Sequence, residues 1–234
     1  MESLLAFAKG PLFAVTVTFM ILGLARHVYL QLGQVLRSVR RLSYRKINIR
    51  LNLKEIGRWL APVGHIYHHR PFFSTTSFLF HLGILVVPLF LANHIAMLSA
   101  SLGIGWPAIP AIVADVLTLV ALAAGIVLLG IRIFDRDASA LSTAIDYFLL
   151  AVVVVPFLSG FMAMHPSFNP LSYQVMLLIH VLSAELLFVL MPLTKLAHGV
   201  LFPFDRFSSE IFWKMPAGAG DRVARELHGE EARV

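Results

Sequence analysis

Apolar residues in this chain gather into five uninterrupted runs, and the polar residues fall largely between them. The runs extend from about Pro11 to Gly33, Phe73 to Leu98, Ile109 to Phe134, Leu141 to Met164 and Leu171 to Leu201. Each supplies the roughly 20 residues that a helix rising about 1.5 Å per residue needs to cross hydrocarbon. A barrel would instead show segments of about ten residues with alternating polarity, and these runs do not alternate. The pattern predicts an all-α integral membrane bundle of five transmembrane helices. Only Lys9 precedes the first run as a Lys or Arg, the run exceeds a secretory core in length, and no small-residue cleavage site follows it. It is therefore read as a mature span.

Charge supplies the orientation. Between Gln34 and Phe72 lie Arg37, Arg40, Arg41, Arg45, Lys46, Arg50, Lys54, Arg58 and Arg70, opposed only by Glu55. The connections Ser99–Ala108 and His165–Pro170 carry no Lys or Arg, while Arg132, Arg136 and the tail's Arg206, Lys214, Arg222, Arg225 and Arg233 fall on the loop's side. The positive-inside bias then puts the amino terminus outside and the carboxyl terminus in the cytoplasm. Residues 1–201 form the expected membrane domain, with a basic cytoplasmic loop over about 34–72, and residues 202–234 a cytoplasmic tail ending in DRVARELHGEEARV. Composition agrees with a lipid solvent: 58% hydrophobic and 14% charged residues against about 25% charged in soluble domains, with a mean hydropathy of +0.80. A pI near 10.0 also suits nucleic acid, but cations flanking spans are accounted for by anionic lipid headgroups, so no nucleic-acid partner is expected.

Four histidines lie inside two of the runs, His81 and His94 in the second and His180 and His198 in the fifth. Ionisable groups in hydrocarbon cost several kcal/mol unless something compensates them, and are functional candidates by default. In the expected topology His81 and His198 fall near the cytoplasmic face, and His94 and His180 near the outer face. On ideal helices the pairs are separated by about 20 Å and about 27 Å along the axis. Two b-type haems, each held by imidazoles from two helices at two depths, would need this pairing. Facing is the sterner condition: eighteen residues bring His180 and His198 onto one face, but thirteen leave His94 about 140° from His81, a difference that a kink or rewinding at Pro88, or approach to the haems from different sides, would reconcile. The other reading of such histidines is hydrogen bonding to neighbouring helices or lining a wet cavity.

Other residues extend the candidate set. Lys195, one turn before His198, and Arg132 and Arg136 at the cytoplasmic level suit haem propionates, or ordinary interfacial anchoring. Asp115, near the outer face, is the candidate for proton exchange with a quinone; Glu185 is read as holding a histidine ring or pairing with another helix, and Asp146 as interfacial. His27, His165 and His228 are read as interfacial or solvated. The run GHIYHHRPF, with His65, His68 and His69, has no carboxylate or thiol partner and is read as basic surface rather than a metal site, with His68 or His69 as reserve ligand to His81. The chain has no cysteine, which excludes thiolate-held iron–sulfur clusters, thioether-linked haem, disulfides and redox dithiols; any such centre belongs to another subunit.

These residues resemble a known family. Five helices, an outside amino terminus and the segments FHLGILVVPLFLANH and LLIHVLSAELLFVLMPLTKLAHGV look like the gamma subunit of respiratory nitrate reductase, with its eighteen-residue interval in the second segment. The wider spacing of the first pair is more similar to cytochrome b subunits of transmembrane electron-transfer and heterodisulfide-reductase-like complexes of sulfate reducers. The resemblance implies an inner haem between His81 and His198, an outer haem between His94 and His180, a menaquinone or ubiquinone site beside the outer one, and a cytoplasmic iron–sulfur subunit as partner. It implies a multi-pass protein of the bacterial or archaeal cytoplasmic (inner) membrane that joins the quinone pool to that partner in a respiratory chain and catalyses no complete reaction alone. A haem-free anchor or a histidine-containing transporter are the contrasting readings; the latter would show broken helices or an inverted repeat.

Overall fold

The computed structural model describes residues 1–41, 69–205 and 225–226. The cations from Arg45 to Arg58, His65, His68 and most of the tail, on which the loop, reserve-ligand and tail expectations rest, lie outside these residues. Every regular element among the described residues is helical. In chain order they are α1 (Glu2–Phe7), α2 (Phe13–Arg41), α3 (Pro71–Phe90), α4 (Ala92–Leu102), α5 (Ala111–Phe134), α6 (Arg136–Ala140), α7 (Ala144–Met164) and α8 (Tyr173–Leu193). Five helical stretches are long and apolar enough to cross a membrane: Glu2–Arg37, Pro71–Phe90, Ala111–Phe134, Ala144–Met164 and Tyr173–Leu193. The first is continuous because α1 joins α2 through a π-helical turn at Ala8–Leu12, which contains Pro11; a proline that donates no N–H is a usual cause of such a widened turn.

By backbone proximity the chain forms two units, one of Met1–Val17 with His65–Val189, the other of Thr18–Gly64 with Leu190–Val234. In the first unit α5 is the central element. Its inward stripe is Ala114, Thr118, Ala121, Ala124, Gly125 and Leu128, mostly small, which lets neighbouring backbones approach closely where lipid supplies no hydrophobic drive between helices. The approach is tightest at Gly83 of α3: a Cβ there would stand 2.6 Å from the Ala121 Cβ and 2.7 Å from the Leu117 carbonyl oxygen. The opposite stripe, Ile112, Val116, Leu119, Ile126 and Ile133, is exposed. Such a face would be a liability in water and costs nothing against acyl chains. Span hydroxyls bond within their own helices: Thr76 donates to the Phe72 carbonyl (2.8 Å), Thr118 to Ala114 (2.8 Å) and Ser159 to Val155 (2.7 Å), as a medium without water requires.

Two spans are shorter than the hydrophobic pattern predicts. The second ends at Phe90, where Leu91 turns extended (φ −72°, ψ 129°) before α4 resumes at Ala92. The expected kink at Pro88 is thus a full break three residues later. The fifth ends at Leu193; Thr194 is extended (φ −132°, ψ −176°), a 3₁₀ turn occupies Lys195–Ala197, and helix resumes over 198–205. Apolar residues continue across both breaks, so hydropathy alone reads each as one helix. The unbroken helices behind the expected separations of about 20 Å and about 27 Å are therefore not found.

Short polar contacts fix the ends. In the first unit Arg70, ahead of α3, pairs with Asp135, the N-cap of α6, whose carboxylate also accepts from the Ala138 N–H (2.9 Å). Asp146 accepts from the Thr143 N–H (2.9 Å) and hydroxyl (2.7 Å) at the start of α7, giving a residue expected as interfacial a capping role. In the second unit His27 donates from Nε2 to the Pro192 carbonyl (2.8 Å), so this histidine ties α2 to the end of α8 rather than facing solvent alone.

Candidate functional site

The break at Leu91 leaves the last four carbonyls of α3 needing donors, since no further turn supplies them. Each has one: Val87 accepts from the Leu91 N–H (3.0 Å), Pro88 from His94 Nδ1 (3.1 Å), Leu89 from Trp106 Nε1 (2.7 Å) and Phe90 from the Ile109 N–H (3.0 Å). The connection after α4 thus folds back to close the helix end, and His94 is fixed by the same device.

On α8, His180 is fixed in a parallel way. Its Nδ1 lies 2.8 Å from the Pro156 carbonyl of α7. Gly160, one turn further along α7, makes room for the ring, because a Cβ there would sit 2.9 Å from His180 Nδ1 and Cε1. Glu185 does not hold this ring; it is 3% exposed, and neither carboxylate oxygen has a hydrogen-bond partner.

A carbonyl only accepts, so both histidines carry a proton on Nδ1, and in the neutral imidazole Nε2 is then the nitrogen with the lone pair. The two rings lie 6.0 Å apart, centre to centre, with planes 5° from parallel. Two imidazoles of neighbouring helices at this separation are close enough to act on one bound group. Orientation of a ligating imidazole by a carbonyl on its other nitrogen is the usual outer-shell arrangement. No group of three or more His, Asp or Glu suited to a metal occurs among the described residues. The donor set here is two imidazole nitrogens.

The remaining expected residues have these settings. His81, on α3, donates from Nδ1 to the Ser77 carbonyl (2.7 Å) and meets Phe80 edge to face at 5.7 Å. His198 has Nδ1 2.7 Å from the Lys195 carbonyl and is exposed. His81 belongs to the first unit and His198 to the second. Arg132 donates to the Ser142 hydroxyl (3.3 Å), and its carbonyl accepts from the Tyr147 hydroxyl (2.9 Å); Arg136 opens α6 and is exposed. Asp115, on the first turns of α5, has Oδ2 3.4 Å from Nε2 of His165 at the end of α7. His165, read from sequence as an interfacial residue, is thereby brought to the one acid proposed for proton exchange. No pattern in the sequence announces that contact, because the two residues lie on different helices.

The fold places the chain among all-helical membrane proteins with five spans. More particularly, it belongs to one family with a protein of Nitratidesulfovibrio vulgaris strain Hildenborough, to which it is 33% identical over 223 residues, covering 93% of this chain and 96% of that one. No family model matches the chain, and no solved structure matches it significantly.

Proposed function

We propose that the chain is a cytochrome b-type membrane subunit of the bacterial or archaeal cytoplasmic membrane, carrying electrons between the quinone pool and a cytoplasmic iron–sulfur partner. One observation carries the reading: two histidines, one on α4 and one within α8, with parallel rings 6.0 Å apart, each locked by a carbonyl on Nδ1 so that in the neutral ring Nε2 is left to ligate. A hydrogen-bonding role alone accounts for the Nδ1 contacts, but it gives no reason for two histidines from different helices to be clamped alike with their rings parallel and neighbouring. His94 and His180 are the outer ligands in this reading, and His81 and His198 the inner ones. Bound haem would supply one-electron redox chemistry. The chain's own part is to hold the ligands, exclude water with apolar helices and place Asp115 where a proton can be exchanged. Lys195, Arg132 and Arg136 are proposed to meet propionates, the amino terminus to lie outside and the carboxyl terminus in the cytoplasm, and menaquinone or ubiquinone to be the mobile carrier.

The second reading is a transporter or haem-free anchor, favoured by the broken second span, since discontinuous helices commonly line substrate sites in transporters. The optical spectrum of the purified chain separates the two. A reduced-minus-oxidised b-type signal with about two haems per chain is expected, and one equivalent should vanish in His94→Ala and in His180→Ala. A colourless protein, or one that keeps both haems after His81, His94, His180 and His198 are all changed to alanine, rejects the proposal.

A further inference from the structure

We propose that His165 and Asp115 together form the proton-exchanging pair for a quinone; this rests on the electron-transfer reading above and adds His165 to it. The contact has an unusual electrostatic construction. His165 Nδ1 donates to the Phe161 carbonyl (2.9 Å), and the ring stacks on Phe161 at 4.2 Å with planes 23° apart. With its proton on Nδ1, a neutral His165 presents a lone pair at Nε2, and that lone pair faces Asp115 Oδ2 at 3.4 Å. A carboxylate is also acceptor-only. Two acceptors oppose each other unless one further proton sits on the nitrogen or the carboxyl, so the two side chains bond each other only by sharing a proton. A contact serving only to staple α5 to α7 would more simply join a permanent donor to an acceptor.

Position supports the assignment. The last turn and a half of α7 holds Gly160 against the His180 ring, stacks Phe161 on His165, and places Met164 against Asn93, the residue before His94, with Asn93 Nδ2 3.6 Å from the sulfur. The same short segment therefore touches the histidine pair and carries His165. The His165 and Asp115 side chains remain about 30% and 34% exposed, open to a ligand rather than sealed in the core. Oxidation of a quinol breaks two O–H bonds and releases two protons and two electrons. The two electrons would leave one at a time to a one-electron centre at the histidine pair, and the two protons would pass one at a time through the His165–Asp115 pair to water, the pair returning to its starting protonation after each. Quinone reduction runs the same balance in reverse.

The test uses the purified full chain in lipid nanodiscs and a fluorescent alkyl-hydroxyquinoline N-oxide as a quinol analogue, with binding read by quenching and haem content by absorbance. Wild type should bind saturably. Asp115→Asn and His165→Phe should each weaken binding about tenfold, as loss of a charged hydrogen-bond partner does, and slow quinol-driven reduction of the haem about a hundredfold, with haem content and helix content unchanged. Asp115→Glu should recover most of both. Wild-type behaviour in both single variants, or no saturable binding by the wild-type chain, overturns the pair. Absence of haem from the wild type instead overturns the electron-transfer reading, while the analogue titration still decides whether these residues bind a quinol.

Discussion

At the scale of single residues, the candidate centre depends on two carbonyl clamps and one missing side chain. Gly160→Ala introduces a Cβ 2.9 Å from the His180 ring, and the ring, being the movable partner, should swing away from the Pro156 carbonyl. If the proposed haems are bound, the expected outcome is loss or perturbation of one haem signal with a stability change below about 1.5 kcal/mol; an unperturbed spectrum would reject His180 as a ligand. Arg70 and Asp135 set a pH dependence. The hydrogen bond from the guanidinium holds the Asp135 carboxyl below its ordinary range, so its stabilisation is complete above the unfolded-state value of about 4 and is lost as pH falls through the lowered one. The melting-temperature difference between wild type and Asp135→Asn should be present at neutral pH and disappear on strong acidification. A difference independent of pH would show that ion pairing is not its source.

At the scale of elements, the seam between α3 and α5 and the break between α3 and α4 carry the architecture. Gly83→Val places carbon against the Ala121 Cβ and a backbone oxygen that cannot retreat, and should cost about 1–3 kcal/mol or more in unfolding from detergent micelles. Adding Ala121→Gly should recover only part, because the Leu117 carbonyl remains in the way. Trp106→Phe removes the donor to the Leu89 carbonyl and should cost about 1 kcal/mol, with His94 disturbed as the helix end loosens. A proline interrupts the helical ladder, so Pro88 is where the amino-acid sequence suggests a kink. Where the chain actually parts depends on Trp106 and Ile109, residues of a later connection, returning to satisfy carbonyls.

At the scale of the whole molecule, the proposed orientation is open to direct labelling, since the chain has no cysteine of its own. Ser167→Cys, in the turn after α7, should react with a membrane-impermeant maleimide from outside intact cells. Ser139→Cys, in α6, should react only after the membrane is opened. The reverse pattern would invert the topology and with it the assignment of the outer histidine pair. Copurification of an iron–sulfur subunit with the intact chain is the corresponding expectation for partners, and loss of that association in His198→Ala with the partner still expressed would connect the second unit to docking.

The amino-acid sequence by itself determined that five apolar helices form, because a run of about 20 residues without charge has no other way to satisfy its backbone in lipid. It also marked His94, His180 and Asp115 as worth watching, because ionisable groups are rare at such depths. It could not show that α3 and α8 stop short, since hydropathy is blind to a single extended residue within an apolar run. Nor could it show which nitrogen each histidine offers, or that His165 reaches Asp115. Those follow from which carbonyls are left without an N–H and which side chain from another helix comes within 3 Å or so of them, and only the packed tertiary structure decides that.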